Sequence, residues 1–250
     1  MKQNKQFFRR LLAVAFWLAV WQCAAMAVGQ EVFLVSPVQA VRTLLQLLPQ
    51  AEFWQRVGFS SGRILLGFGL GVAVSIVLAV AAQAWHTADV LLAPVLQLVK
   101  ATPVASFIIL ALVWVSGKSL SILISFLMVL PVLYGAVRTG LESADPQLLE
   151  MARVFRVPFG RRLRGIYLPQ VMPYFRTAVS LGLGLCWKAG AAAEIIGLPA
   201  GSMGERLYTA KVYFQTADLF AWTVTIVAVS VAFERLFLAL VDRLMGKAGL

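Results

Sequence analysis

Few residues of this 250-residue sequence could take part in chemistry, and they stand apart from one another. There is one histidine, His86, and the two cysteines, Cys23 and Cys186, lie in apolar runs, so neither a metal site nor a disulfide framework is predicted. The chain contains no phosphate-binding loop, no histidine–glutamate metal motif and no nucleophile elbow. We therefore predict no catalytic residues, no metal or cofactor bound by this chain, and no enzymatic activity.

Three charged residues lie within or at the ends of long apolar runs, namely Lys100, Lys188 and Glu194. A charge inside a membrane span is costly and usually faces a bundle interior or water. Lys188 and Glu194 are therefore candidate residues of a transport pathway, while the alternative is that both only anchor the chain at the outer interface. For Lys100 we favour extension of the side chain to the cytoplasmic surface over a wet interior.

The one long polar interval, Glu142 to Pro169, carries five arginines. Asp145 and Pro146 predict the start of a helix, because the carboxylate can accept a backbone hydrogen bond and proline fits the first helical turn. Pro158 is expected to end this helix, and a second short helix is expected to end at Pro169. The first helix is amphipathic, with an apolar side formed by Leu148, Met151, Ala152 and Phe155. By composition alone, the interval also fits a solvated loop whose arginines only set topology.

This interval resembles the Glu-Ala-Ala loop of bacterial ABC importer permeases at five correctly spaced positions: Glu150, Ala152, Ile166, Leu168 and Pro169. Met151 replaces the middle alanine of the family pattern and Arg156 replaces its glycine, so Gly160 is expected to supply the flexible point. Two further stretches resemble permeases of the nitrate, sulfonate and taurine group, namely residues 59–68 and the pair Ala193-Glu194.

The resemblance implies an all-α integral membrane protein, the permease subunit of a type I ABC importer with about six transmembrane helices and a cytoplasmic helix-turn-helix coupling loop. It implies a homodimer that binds two cytoplasmic ATPase subunits, which use ATP and magnesium, and an external binding protein that delivers a small anionic or vitamin-like solute. The residues that it assigns to ATPase coupling are Leu148, Glu150, Met151, Ala152, Arg153, Phe155 and Arg156. The alternative is an ATP-independent secondary transporter or channel.

The composition agrees with one transmembrane domain over residues 1–250, since 60% of the residues are hydrophobic and only 13% are charged. The predicted coupling loop covers about residues 142–169 and the outer loops about 29–60 and 194–218. The apolar run Leu11 to Val28 follows a basic start, and we favour a retained span over a cleaved signal peptide. The net charge of +11 is attributed to anionic membrane lipid rather than to nucleic acid.

Local signals refine this prediction. Short helices are expected after Ser36-Pro37 and around residues 205–213, and a kink or break is expected between Lys100 and Pro103. The glycines at 62, 67, 69 and 71 predict a surface for close helix packing. Within the last span, Glu234 and Arg235 are expected to compensate one another's charge in part, or Arg235 is expected to reach the lipid headgroups.

Topology follows from the positive residues. With six spans and both termini in the cytoplasm, fourteen of the 22 lysines and arginines lie on the inner side, six lie on the outer side and two lie within the membrane. This excess on the inner side favours that orientation in a bacterial inner membrane.

Overall fold

The computed structural model describes residues 2–248, and this part of the chain is helical with no β-strand. Five of its helices are long and apolar enough to cross a membrane, and a bent pair would make a sixth span. The predicted all-α membrane fold is confirmed. The helices are α1 (Lys2–Val28), α2 (Pro37–Leu47), α3 (Ala51–Ala84), α4 (His86–Ala101), α5 (Val104–Ala111), α6 (Gly117–Glu142), α7 (Pro146–Val154), α8 (Phe159–Arg162), α9 (Leu168–Gly197), α10 (Met203–Val212) and α11 (Thr216–Ala248).

The centre of the protein consists of three long helices, in which the middle helix, α6, packs against both α3 and α9. Phe68 of α3, Leu133 of α6 and Trp187 of α9 are fully buried in the largest apolar cluster. The short helices mark the two ends of this bundle: α7 and α8 follow the end of α6, and α10 follows the end of α9. We call these the α7 end and the α10 end.

Two of the four glycines predicted to form a packing surface do so. A Cβ atom on Gly67 would lie 2.4 Å from the carbonyl oxygen of Ile122 on α6, and one on Gly71 would lie 3.0 Å from Val129. Gly62 and Gly69 have no neighbour within 4 Å at the same position. The backbones of α3 and α6 therefore approach closely only along the side of α3 that carries Gly67 and Gly71.

The third apolar segment is bent, as its prolines predict. Helices α4 and α5 meet at an angle of 103°, and Thr102 and Pro103 form the break between them. Pro103 has no N–H to continue the ladder, and Thr102 adopts the extended conformation that proline favours in the preceding residue. The two predicted short helices are also present, as α2 capped by Ser36 and as α10 capped by Ser202.

Helix α3 begins at Ala51, so residues 51–60 of the predicted outer loop are helical. Two other local predictions are wrong. No helix ends at Pro169, because a π-helical turn over Leu163–Tyr167 joins α8 to α9 and shifts the hydrogen-bond register just before the proline. Glu234 does not pair with Arg235 but accepts a hydrogen bond of 2.5 Å from the Ser180 hydroxyl on α9.

Candidate functional site

The polar interval folds into a defined helix and turn at the α7 end. Asp145 caps α7, since its carboxylate accepts the Gln147 N–H at 2.8 Å. At the other end of α7 the N–H of Val157 donates to the Ala152 carbonyl at 2.8 Å and the N–H of Arg156 donates to the Arg153 carbonyl at 3.1 Å. These two bonds define a Schellman motif, which needs a left-handed residue after the helix.

Arg156 is that left-handed residue, with φ of +49°. It stands where the resembling family has glycine, so the expectation that Gly160 would supply the flexible point is wrong. Gly160 lies within α8 and has ordinary backbone geometry. An L-residue in this conformation costs roughly 1–2 kcal/mol, because its Cβ approaches the following carbonyl oxygen.

We expect Arg156→Gly to make the turn more stable by about 1 kcal/mol, because glycine adopts the left-handed conformation without this penalty. Hydrogen–deuterium exchange of the Arg156 and Val157 amides should slow in the variant. The control is Arg156→Ala, which removes the side chain but keeps the strained Cβ and should not slow exchange. Equal protection in both variants would show that the side chain, and not the backbone, sets the stability of the turn.

Ala152 was predicted to belong to the apolar side of α7 that contacts the ATPase, but it does not lie on the exposed side of this helix. Its side chain is 2% exposed and packs with Ala144 and Ile166. Leu149 and Val157 cover this small cluster from its edges. The interval therefore has a core of its own, which fixes α7 against the turn that leads into α9.

The neighbouring side of α7 is apolar and exposed. Phe155 is 75% exposed although it is a large aromatic residue, and four further apolar side chains accompany it. We call this set the α7 surface: Leu148, Met151, Val154, Phe155 and Phe159. Glu150, Arg153 and Arg156 are also exposed on this part of the chain. Sequence reasoning missed Val154 and Phe159, although Val154 follows Met151 at helical spacing.

Glu194 has a structural position that neither of its two interpretations predicted. Its side chain is 1% exposed, and one carboxylate oxygen accepts hydrogen bonds from the Ser60 hydroxyl at 2.6 Å and the Gly204 N–H at 3.4 Å. The Ser60 oxygen in turn accepts the Met203 N–H at 2.9 Å. Glu194 therefore ties α9 to α3 and to the start of α10.

A second polar cluster joins the same helices nearer the surface of the α10 end. Arg56 on α3 pairs with Glu205 on α10 at 2.6 Å, and Glu52 accepts contacts from both Arg56 and Arg206. The cluster borders a cavity of about 300 Å³ between α2, α3, α10 and α11. Partial burial works to raise the pKa of Glu205, but hydrogen bonds from Arg56 and from the Gly201 N–H outweigh it and hold that pKa below its ordinary value.

This lowered pKa predicts a loss of stability in acid. A carboxyl group whose pKa is depressed by folding stabilises the protein above its unfolded pKa, and the stabilisation disappears as the pH falls through the folded value. We expect Glu205→Gln to lower the free energy of unfolding by about 1 kcal/mol at pH 7, and this difference should shrink as the pH falls below about 4.3, the ordinary pKa of glutamate, toward the lower folded value. Thermal unfolding of both proteins in detergent across this pH range measures the difference. A difference that does not change with pH would rule out an ionised Glu205 as its source.

The two lysines of the apolar runs lie in separate places. Lys100 is exposed in the last turn of α4, next to the bend, where its charge is favourable to the helix dipole. Lys188 is exposed on α9 and lines a cavity that also contains Lys211 of α10. This cavity could not be predicted from local sequence, because its residues come from three helices separated along the chain.

Comparison with known proteins agrees with this architecture. Residues 71–247 match the family described as binding-protein-dependent transport system inner membrane component. A Bacillus subtilis permease named for aliphatic sulfonate transport is 27% identical over 86% of this chain and 78% of its own length. The taurine transport system permease protein of Escherichia coli is 25% identical over 90% of this chain and 83% of its own length.

A crystal structure of an amino acid ABC transporter with histidines contains a chain of the same fold, with a TM-score of 0.61 at 13% identity, covering 82% of this chain and 97% of that one. The family match extends over more than half of the sequence and includes the last part of α3, all of α6, the α7 end, α9 and α10. The chain therefore belongs to the family of binding-protein-dependent transport system inner membrane components and is a membrane-spanning permease of an ABC importer.

Proposed function

We propose that two copies of this permease form the pathway for a small anion, that each copy binds one ATPase subunit through the α7 surface, and that a binding protein delivers the solute at the α10 end. The observation that carries this proposal is the exposed apolar α7 surface on an interval that is otherwise polar. Membrane lipid would cover such a surface within a span, but four of its five residues lie on α7 or directly after it, between candidate spans, and only Phe159 begins the next span.

The composition of the α7 surface suits a protein partner. Large exposed apolar patches bordered by polar residues mark sites of protein association. Aromatic residues such as Phe155 and Phe159 contribute most when a partner encloses them. Glu150, Arg153 and Arg156 border the patch and would fix the orientation of the partner.

The connection between α7 and the membrane supports a mechanical role. The buried cluster around Ala152 holds α7 against Ile166, which lies in the π-helical turn. From Phe159 the chain is helical to Gly197 without interruption, a length of about 58 Å at 1.5 Å per residue. Movement of a bound ATPase would therefore move α9 as a rigid body and change access to the pathway between inside and outside.

In this proposal the α7 end and both termini lie in the cytoplasm, in agreement with the excess of positive residues predicted for that side. The α10 end then faces the outside of a bacterial inner membrane. ATP and magnesium bind to the partner ATPase subunits. The family assignment argues against the ATP-independent transporter or channel that the sequence left as an alternative.

The small anion is proposed from the names of the similar permeases, which assign them to sulfonates and taurine. The residues of this chain are compatible with an anion, because Lys188 and Lys211 bring positive charge to the cavity beside α9.

The experiment that tests the proposed function begins with purification of the tagged permease from its native membrane. We expect an ATPase and a binding protein to be recovered with it, and ATP to drive anion uptake when the complex is placed in liposomes. Glu150→Ala should reduce uptake at least about tenfold, with the permease still inserted in the membrane, because the charge that orients the ATPase is removed. Uptake that continues without ATP and stops when the proton gradient is dissipated would contradict the proposal.

A further inference from the structure

A cavity of about 410 Å³ lies between α9, α10 and α11. This volume is within the range typical of small-molecule sites. Lys188 contributes from α9, Tyr208 and Lys211 contribute from α10, and Thr223 contributes from α11. The remaining wall is mostly apolar and includes Ile195 and Ile226. The cavity thus combines two cationic groups, two hydroxyl groups and a hydrophobic surface.

Lys188 lies well inside its membrane-spanning helix. It precedes Gly197, the last residue of α9, by nine positions, which corresponds to about 14 Å along the helix. A lysine at such a depth is rare and usually pairs with an opposite charge or lines a polar cavity. Among the side chains that the structure describes, no carboxylate forms an ion pair with Lys188 or Lys211.

The cavity also lacks an internal counter-charge, since none of its lining residues is aspartate or glutamate. Two ammonium groups around one cavity repel each other, and an anion between them would remove this repulsion and gain charge-assisted hydrogen bonds. The hydroxyl group of Tyr208 can donate to the same anion, whereas the Thr223 hydroxyl already donates to the Leu219 carbonyl at 2.7 Å.

The apolar wall of the cavity indicates which kind of anion would bind there. An inorganic anion such as bicarbonate is fully hydrated and gains nothing from contact with isoleucine. A short alkyl group beside the charge would bury apolar area and gain about 0.8 kcal/mol for each CH₂ group removed from water. The arrangement therefore favours an anion with a compact charged head and a short apolar body.

We propose that this cavity is a binding site within the permease for a small organic anion, with Lys188 and Lys211 holding the charged head and Ile195 and Ile226 contacting the apolar body. The inference rests on the proposed import function and adds to it the location of a solute site and the preference for an organic anion. It also gives Lys188 a role that Lys100 does not share, since Lys100 lies outside the cavity.

The test uses the full-length permease in nanodiscs of phosphatidylcholine and 1-butanesulfonate as the probe. Calorimetry should detect binding of 1-butanesulfonate, and 1-butanol and methanesulfonate should each bind at least about tenfold more weakly, because one lacks the charge and the other lacks most of the apolar body. Lys188→Gln and Lys211→Gln should each weaken binding about tenfold or more. Lys118→Gln is the matched control, because Lys118 is an exposed lysine of α6 outside the cavity, and it should not change the affinity.

Three results would overturn the inference: equal affinity for the probe in the lysine variants and the wild type, equal binding of 1-butanol, or retention of phosphatidylglycerol through Lys188 with no binding of the probe. Uptake assays separate this inference from the proposed function. If ATP-driven anion uptake by the wild-type complex is intact while the cavity variants bind and transport normally, only the cavity site is wrong. If the wild type shows no ATP-driven uptake of any anion, the proposed function fails, whatever the binding data show.

Discussion

Gly67→Ala is expected to lower the free energy of unfolding by about 2–4 kcal/mol, a large effect for the addition of one methyl group. The new Cβ would lie 2.4 Å from the carbonyl oxygen of Ile122 and 2.8 Å from the Cβ of Ser125. Both atoms belong to the α6 backbone or are fixed to it, so no side-chain rotation can relieve the overlap. The two helices must move apart instead, and this movement disrupts the close packing of the buried core between them.

Gly69→Ala is the matched control, since it makes the same change two residues along the same helix. A Cβ on Gly69 would have no neighbour within 4 Å. Alanine is the better helix former by up to about 1 kcal/mol, so this variant should be as stable as the wild type or slightly more stable. Thermal unfolding in detergent, followed by circular dichroism, measures both variants. Similar midpoints for the two would contradict the close approach of α3 and α6.

The same pair of glycines shows how far the sequence predicts the fold. The cluster of glycines at 62, 67, 69 and 71 correctly predicts a surface for close packing on α3. Which of them take part depends on the rotation of α3 relative to α6, and this rotation is set by side chains such as Phe68 that pack on a third helix. The local sequence shows that one helix is rich in small residues. It does not show which side of that helix faces a neighbouring helix.

A proline predicts the end of a helix correctly at Pro103 but not at Pro169. Pro103 breaks the third segment as predicted, because the preceding residue adopts the extended conformation. Pro169 has the same local chemistry but follows a π-helical turn, and the helix continues through it. A π-helical turn depends on tertiary packing, here on the burial of Ile166 against Ala152, which propensity does not indicate.

The candidate site was only partly predictable for a related reason. The exposed positions of Leu148, Met151 and Phe155 agree with the predicted apolar side of α7. Ala152 lies on the boundary of that side, and a small residue there can turn inward to pack on Ile166. The partners of Glu194 could not be found in the sequence, because Ser60 lies 134 residues away.

Phe155→Ser is expected to weaken the binding of the ATPase by about 30-fold and to reduce ATP-driven uptake accordingly. The loss corresponds to about 2 kcal/mol, the usual threshold for an aromatic residue that dominates an interface. The side chain is 75% exposed and makes no contribution to the buried cluster around Ala152. Its removal should therefore leave the permease folded, and the effect should appear only when the ATPase is present.

Phe33→Ser provides the matched control for this prediction. Phe33 is 73% exposed, nearly the same as Phe155, but it lies between α1 and α2, away from the α7 surface. Both serine variants lose the same apolar area, so they should unfold at the same temperature in detergent. Only Phe155→Ser should reduce the amount of ATPase recovered with the tagged permease. An equal loss of ATPase in both variants would indicate a general defect of the membrane protein, and full recovery in both would show that the ATPase binds elsewhere than the α7 surface.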